Sequence, residues 1–261
     1  MPKIDLDGLE THYQITGQGD PLIFIHGLGS SGRDWEQQVE HFSKSYRVVT
    51  YDVRGHGLTA KPKGPYSVPM FAADAAALIQ ALELAPAHIV GLSMGGWIAF
   101  QLAVSYPNLL KSMTIINSAP NLPSHTFQQR KAIFQRTVLF RLLSMRKIGE
   151  ALSGRMFIKP EQEELRQTFI ERWAENHKPS YMASFRGAIG WSVMSHVGDI
   201  RTPTLVVAAD EDYTPLAQKK AYVARMLQAQ MAIIEDSRHA TPVEKPDEFN
   251  RVLSEFLKKV T

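Results

Sequence analysis

Gly91-Leu92-Ser93-Met94-Gly95 limits what this chain can fold into more than any other stretch. It follows the short apolar run Ala87-His88-Ile89-Val90 and precedes Trp97 to Ala103, whose pattern is helical, so a strand must pass into a helix through one tight turn. Side chains two positions either side of Ser93 have no room in such a turn, which makes glycine there a steric need. The same turn holds Ser93 at a strained φ/ψ with its hydroxyl exposed, a mounting that suits a nucleophile and is useless to a structural serine.

The rest of the chain supplies the sheet that such a turn requires. Lys3 to Leu6 and Thr11 to Ile15 read as short strands around a turn, and Pro21 to His26 is a continuous apolar run of the kind a sheet covered on both faces demands. Tyr46 to Tyr51 is another strand, Met70 to Leu84 has helical periodicity, and Leu110 to Asn117 is a strand again. From about Pro120 to Ser192 the alternation stops, and a segment rich in Phe, Met, Gln and Arg reads as helices only. It resumes with strand Thr204 to Ala209, a helix through Ala217 to Leu227, strand Met231 to Ile234 and a closing helix Pro246 to Val260. The expected fold class is α/β: a doubly wound, mostly parallel sheet of about eight strands with helices on both faces. Its core is expected over 1–119 and 193–261, with a helical cap inserted at 120–192.

At 261 residues, with 44% hydrophobic and 21% charged residues, one α/β domain with an insertion uses up the chain. The absence of cysteine removes disulfides, thiolate metal sites and a cysteine nucleophile together, and suits a reducing cytoplasm, the expected location. The amino terminus lacks a basic start followed by an apolar core, so no secretory signal is expected, and no apolar run is long enough to span a bilayer. A net charge of +3, without clustered motifs, argues against nucleic acid as a partner. The local excess of Arg130, Lys131, Arg136, Arg141, Arg146 and Lys147, beside Ile133, Phe134, Leu142 and Leu143, reads first as an amphipathic cap helix with a solvated face. Steering of anionic substrates and contact with a membrane surface are the alternatives.

A serine hydroxyl is a poor nucleophile at neutral pH and needs a base within hydrogen-bond reach, itself oriented by a third group. After a turn of this kind the chain order is serine, acid, histidine. Of nine histidines, five precede Ser93, and His125, His177 and His196 fall in or near the cap, which leaves His239 in the loop between the last strand and last helix. For the acid, Asp210, Glu211 and Asp212 all end the strand before that loop. Asp212 lies farthest into the loop and is preferred, with Asp210 the alternative. The other acid position, after the preceding strand, holds Asn117 and Ser118, which cannot do the work. The oxyanion formed on attack calls for backbone donors, here the N–H of Met94 and that of Leu28 in His26-Gly27-Leu28-Gly29. His26, ending a buried strand, reads as structural, and Arg54-Gly55-His56-Gly57 as a turn fixed by an Asp52/Arg54 pair. Trp97, Phe134, Trp173, Phe185, Trp191 and Met194 are candidates for a substrate pocket, each also able to serve as packing between cap and core.

Taken together, His26-Gly27-Leu28-Gly29, Asp52-Val53-Arg54-Gly55-His56-Gly57, Gly91 to Gly96, Pro203 to Asp212, and Arg238-His239-Ala240 with Glu244-Lys245-Pro246 behind it resemble the α/β-hydrolase superfamily over nearly the whole chain. Within it the likeness is to capped bacterial carboxylesterases and 3-oxoadipate enol-lactonases. One departure is Ala209, where relatives usually carry glycine before the acid loop. The resemblance implies the α/β-hydrolase fold and a serine hydrolase, without cofactor or metal, of small, fairly apolar carboxylic esters. It would work through an acyl-enzyme on Ser93 with His239 as base and Asp212 orienting it. A lactone substrate is the nearest alternative, carbon–carbon bond hydrolysis a weaker one because Leu92 stands where those enzymes tend to have asparagine, and a triad-bearing ligand receptor or scaffold belongs to a different class. Homo-oligomerisation stays open.

Overall fold

The computed structural model describes residues 2–124 and 126–260, so Met1, His125 and Thr261 lie outside the described residues. A hairpin of β1 (Lys3–Leu6) and β2 (Leu9–Thr16) leads into β3 (Pro21–Ile25), helix α1 (Glu36–Phe42), β4 (Arg47–Tyr51), α2 (Val68–Ala81), β5 (Ala87–Leu92), α3 (Met94–Ser105) and β6 (Leu110–Ile116). Four helices then follow one another: α4 (Phe127–Leu142), α5 (Met145–Met156), α6 (Glu163–Ala174) and α7 (Lys178–Ala188). The chain closes with β7 (Thr204–Ala209), α8 (Leu216–Val223), β8 (Ala229–Ile234), the single turn α9 (Thr241–Glu244) and α10 (Pro246–Val260).

The strands form one eight-stranded sheet in the order β1-β2-β4-β3-β5-β6-β7-β8. Only the pairings of β1 with β2 and of β2 with β4 are antiparallel. The interior strands are buried along nearly their whole length because helices cover both faces. On one face Phe71 and Leu78 of α2, Ile98 and Phe100 of α3 and Tyr222 of α8 pack on Ile23, Val49, Ile89 and Ile115. On the other, Phe42 of α1 and Phe249, Leu253, Phe256 and Leu257 of α10 pack on Leu22, Phe24, Val90 and Val207. Each such side chain stabilises the fold by about 1.5–3 kcal/mol relative to exposure.

The order of the strands decides where a ligand can enter. The chain passes from β3 outward to β4 and then returns to the far side of β3 with β5, so the crevice at the carboxyl ends of β3 and β5 is the switch point of the sheet. The helical segment opens over that edge. Its two ends meet each other, with Leu122 N donating to Trp191 O at 2.8 Å and Val193 N to Pro120 O at 2.8 Å, so it leaves and rejoins the sheet at adjoining points.

Candidate active site

Ser93 follows β5 and precedes α3 with φ 54° and ψ −110°, a conformation that a side-chain-bearing residue adopts only when its surroundings force it. The forcing groups are the neighbours of the glycines. A Cβ on Gly91 would lie 2.2 Å from the Gly95 carbonyl oxygen, and one on Gly95 would lie 2.1 Å from the carbonyl oxygen of Ile25 in β3. The turn is fastened further by Ser93 N donating to Ile116 O at 2.9 Å and by the Ser118 hydroxyl donating to Ser93 O at 2.7 Å. Met94 N, the first amide of α3, has no carbonyl of its own helix to serve and is free to meet an anion. Leu28 lies beside it in the turn after β3, where a Cβ on Gly27 would be 3.6 Å from that of Ser93.

His239 and Asp212 are brought together. His239 Nδ1 lies 2.8 Å from Asp212 Oδ1, in a pair that is 7% and 0% exposed. Since the carboxylate can only accept, Nδ1 carries the proton and Nε2 is left as an acceptor. Asp210 instead receives the Ser237 N–H, and Glu211 pairs with Arg238 at 2.7 Å, so neither reaches the imidazole. Burial pushes the Asp212 carboxyl up, but the hydrogen bond and charge of His239 and the charge of Lys219 outweigh it and hold the group below the usual carboxylate range.

Three residues that sequence reasoning did not assign complete the site. Lys219 of α8, 1% exposed, places its ammonium 2.6 Å from Asp212 Oδ2, which also receives the Thr214 hydroxyl. Burial lowers the Lys219 pKa, offset in part by Asp212. Asn117, at φ 46°, donates to His239 O at 3.0 Å and to Thr241 Oγ1 at 2.8 Å while accepting from Ala209 N at 2.9 Å, and so staples the ends of β6 and β7 to the histidine loop. Tyr213 stacks on the imidazole at 4.2 Å, with its hydroxyl 2.7 Å from His239 Nε2 and hydrogen-bonded to Ser93. The phenol therefore stands between serine and histidine. Tyr213 is 59% exposed over its whole surface, yet its hydroxyl end is enclosed, and that burial together with the Asp212 charge pushes the phenol up. A lysine beside a lysine and a tyrosine in a loop carry no pattern. Asn117 had a signal, since asparagine tolerates the left-handed region better than other residues.

Ser93, Leu28, Tyr213 and His239 open on a cavity of about 480 Å³ whose far walls come from α4 to α7, with Leu152, Met156, Phe169, Trp173, Tyr181 and Phe185 among the lining. Trp97, Trp173 and Phe185 thus line it as the sequence suggested. Phe134 does not: it is 68% exposed on the outer side of α4. Trp191 packs beside Trp97 and donates to Gln101 Oε1 at 2.8 Å, a link between segment and sheet, and Met194 packs on the core. The Arg54 turn also differs in its partner. Arg54 forms a two-pronged pair with Asp74 at 2.6 and 2.7 Å, while Asp52 accepts from the Gly32 and Leu58 amides and contacts His12. His26 accepts the Val53 N–H on Nε2 at 2.9 Å, a structural link between the two loops.

Comparison with known proteins bears on the fold. Residues 20–146 match a family described as the alpha/beta hydrolase fold. Over 256 residues the chain is 30% identical to (E)-2-((N-methylformamido)methylene)succinate hydrolase of Acinetobacter baylyi, covering 94% of this chain and 93% of that protein. It is 27% identical to 3-oxoadipate enol-lactonase 2 of the same organism over 254 residues, 95% of this chain and 93% of that one. The crystal structure of the enol-lactonase from Burkholderia xenovorans LB400 superposes with a TM-score of 0.91 at 25% identity, covering 98% of this chain and 100% of that chain. With its glycine-locked serine turn at the switch point of an eight-stranded sheet, the chain belongs to the α/β-hydrolase fold family.

Proposed function

We propose that the protein is a serine hydrolase of small, fairly apolar carboxylic esters, with the helices of 120–192 acting as a cap that encloses the substrate. The single observation that carries this reading is the buried His239–Asp212 pair facing Ser93 across one cavity. Ser93 Oγ attacks the ester carbonyl as His239 Nε2 takes its proton, and Asp212 holds the imidazole in the tautomer that can do so. The N–H groups of Leu28 and Met94 receive the developing oxyanion, each worth about 3 kcal/mol. His239 then gives its proton to the leaving alcohol, and water releases the acid from the acyl-enzyme by the same steps.

A lactone carrying a carboxylate is the second reading, favoured by Arg136. Its guanidinium lines the cavity and lies 4.9 and 4.8 Å from the Phe140 and Phe185 ring centroids; unlike Arg172, the other arginine of the lining, which pairs with Asp34 and Glu36, it forms no ion pair with a carboxylate among the described residues. The relatives named for enol-lactone and substituted succinate hydrolysis bear on this point.

The test is a panel of p-nitrophenyl esters of graded acyl length run beside neutral and carboxylated lactones. Ser93→Ala should remain folded and lose activity by a factor on the order of a million, and a phosphonate should label Ser93 stoichiometrically. Near wild-type turnover by a folded Ser93→Ala sample would sink the reading. Preference for carboxylated lactones that disappears in Arg136→Gln selects the second reading over the first.

A further inference from the structure

Helix α4 is apolar on the side that faces away from the protein. Of the ten large apolar side chains that are exposed among the described residues, five lie on this helix: Phe127, Phe134, Val138, Leu139 and Leu142. Successive residues of a helix turn by about 100°. Phe127, Phe134, Val138 and Leu142 therefore form one outward stripe, with Arg130 and Arg141 along one border and Lys131 within it between Val138 and Leu142. The opposite side faces inward, where Phe140 is buried against Tyr181 and Phe185. The helix thus has its packing face already filled, and the outward stripe is surplus to it.

Charge says what the stripe meets. No aspartate or glutamate occurs between Glu83 and Glu150, and Arg146 and Lys147 extend the basic run into the first turn of α5. Lys131, Arg141 and Arg146 form no ion pair with a carboxylate among the described residues. A second copy seated on the same face about a twofold axis would set these cations against their own mates, which repel. An apolar ridge with cations along one border and a long, flexible lysine within it is a surface that settles into a layer of anionic headgroups, the ridge among the acyl ends and the cations reaching the phosphates.

We propose that the outward face of α4 is a seat for an anionic membrane surface. The helix is about 24 Å long. No helix among the described residues is long and apolar enough to cross a membrane, so α4 would lie in the plane of the interface. The inference rests on α4 alone and stands whether or not Ser93 is a nucleophile. Seated in this way, the cavity wall supplied by Arg136 on the inner side of the helix would stand about one helix diameter, roughly 10 Å, from the lipid.

The full chain is sedimented with vesicles of phosphatidylcholine mixed with phosphatidylglycerol, and with phosphatidylcholine alone. Wild type should pellet with the mixed vesicles, at least about tenfold more tightly than with the neutral ones, and raised salt should weaken the difference. Phe127→Ser with Leu142→Ser should lower binding to the mixed vesicles by about tenfold or more. Arg130→Gln with Arg141→Gln should erase most of the preference for anionic lipid. All four side-chain sites are exposed, and an unchanged thermal midpoint certifies each variant as folded. Failure of wild type to pellet with the mixed vesicles overturns the proposal, as does equal pelleting by the serine variant. A concentration-dependent dimer that disappears in the serine variant overturns it in favour of a second copy.

Discussion

Tyr213 is the residue that most qualifies a simple account of the site. In the structure its hydroxyl, not that of Ser93, sits on His239 Nε2. A hydrolase working through His239 must either move that phenol aside when substrate enters or pass the proton through it. The two are separated by Tyr213→Phe, which keeps the stacked ring and removes the hydroxyl. We expect displacement: the variant should keep kcat within severalfold and should react faster with a small phosphonate, because Nε2 is then open to Ser93 in the free enzyme. A fall of about a hundredfold or more would instead make the phenol a proton carrier, since a positioned acid–base group contributes that much. The raised phenol pKa keeps the hydroxyl protonated at neutral pH, so ionisation of Tyr213 does not enter either outcome.

At the scale of elements, the helices over the sheet edge should govern which substrate reacts rather than how. Phe185 and Trp173 stand in the cavity wall, far from the Ser93 turn in sequence but facing the same cavity. Phe185→Ala should therefore shift the preferred acyl length, changing the ratio of kcat/KM for neighbouring esters by about 1–3 kcal/mol, the most one apolar contact supplies. An unchanged ranking would assign specificity to the loops around Leu28 and Met94. The eight strands and helices α2, α3, α8 and α10 were legible because apolar runs and helical periodicity are local properties, whereas α4 to α7 were legible only as one helical segment without inner bounds. Strand Lys3–Leu6, strand Thr204–Ala209 and helix Pro246–Val260 fall where the pattern puts them. The short α1 and α9 were not legible, because seven and four residues give a periodic pattern too little length to show. The candidate site was legible in part. Ser93 is marked by its flanking glycines, and His239 and the loop of Asp212 could be picked out by chain order, whereas Phe134 and Phe185 are two phenylalanines on neighbouring helices whose opposite fates depend on how those helices are rotated.

Over the whole molecule, three histidines are buried in neutral form and tie stability to pH. Burial drives His56 down to about 3 and His88 to about 4, and it lowers His26 as well despite the nearby Asp52. An unfolded chain would take up protons at these sites near the ordinary histidine value of 6.5, which the folded chain refuses. The unfolded state therefore binds more protons as pH falls below about 6.5, and each fully buried histidine lowers stability by about 1.4 kcal/mol per pH unit until its folded pKa is reached. Denaturant titrations should show the unfolding free energy falling from pH 6.5 toward 4.5, with a shallower slope in His88→Gln. A slope unaffected by that change would remove His88 from the account. The close fit of the glycines around Ser93 against other parts of the sheet has a different kind of consequence, one for descent rather than energy. Gly95 abuts the backbone of β3 and Gly96 the Ser118 side chain after β6, so these positions are held by the architecture and not by the reaction. Ser93, by contrast, lines the cavity. A lineage can lose the serine in one step and keep its shape, but it cannot lose the glycines and remain on this scaffold. In a diverged relative the surviving glycines would testify to ancestry, and only the residue between them would testify to trade.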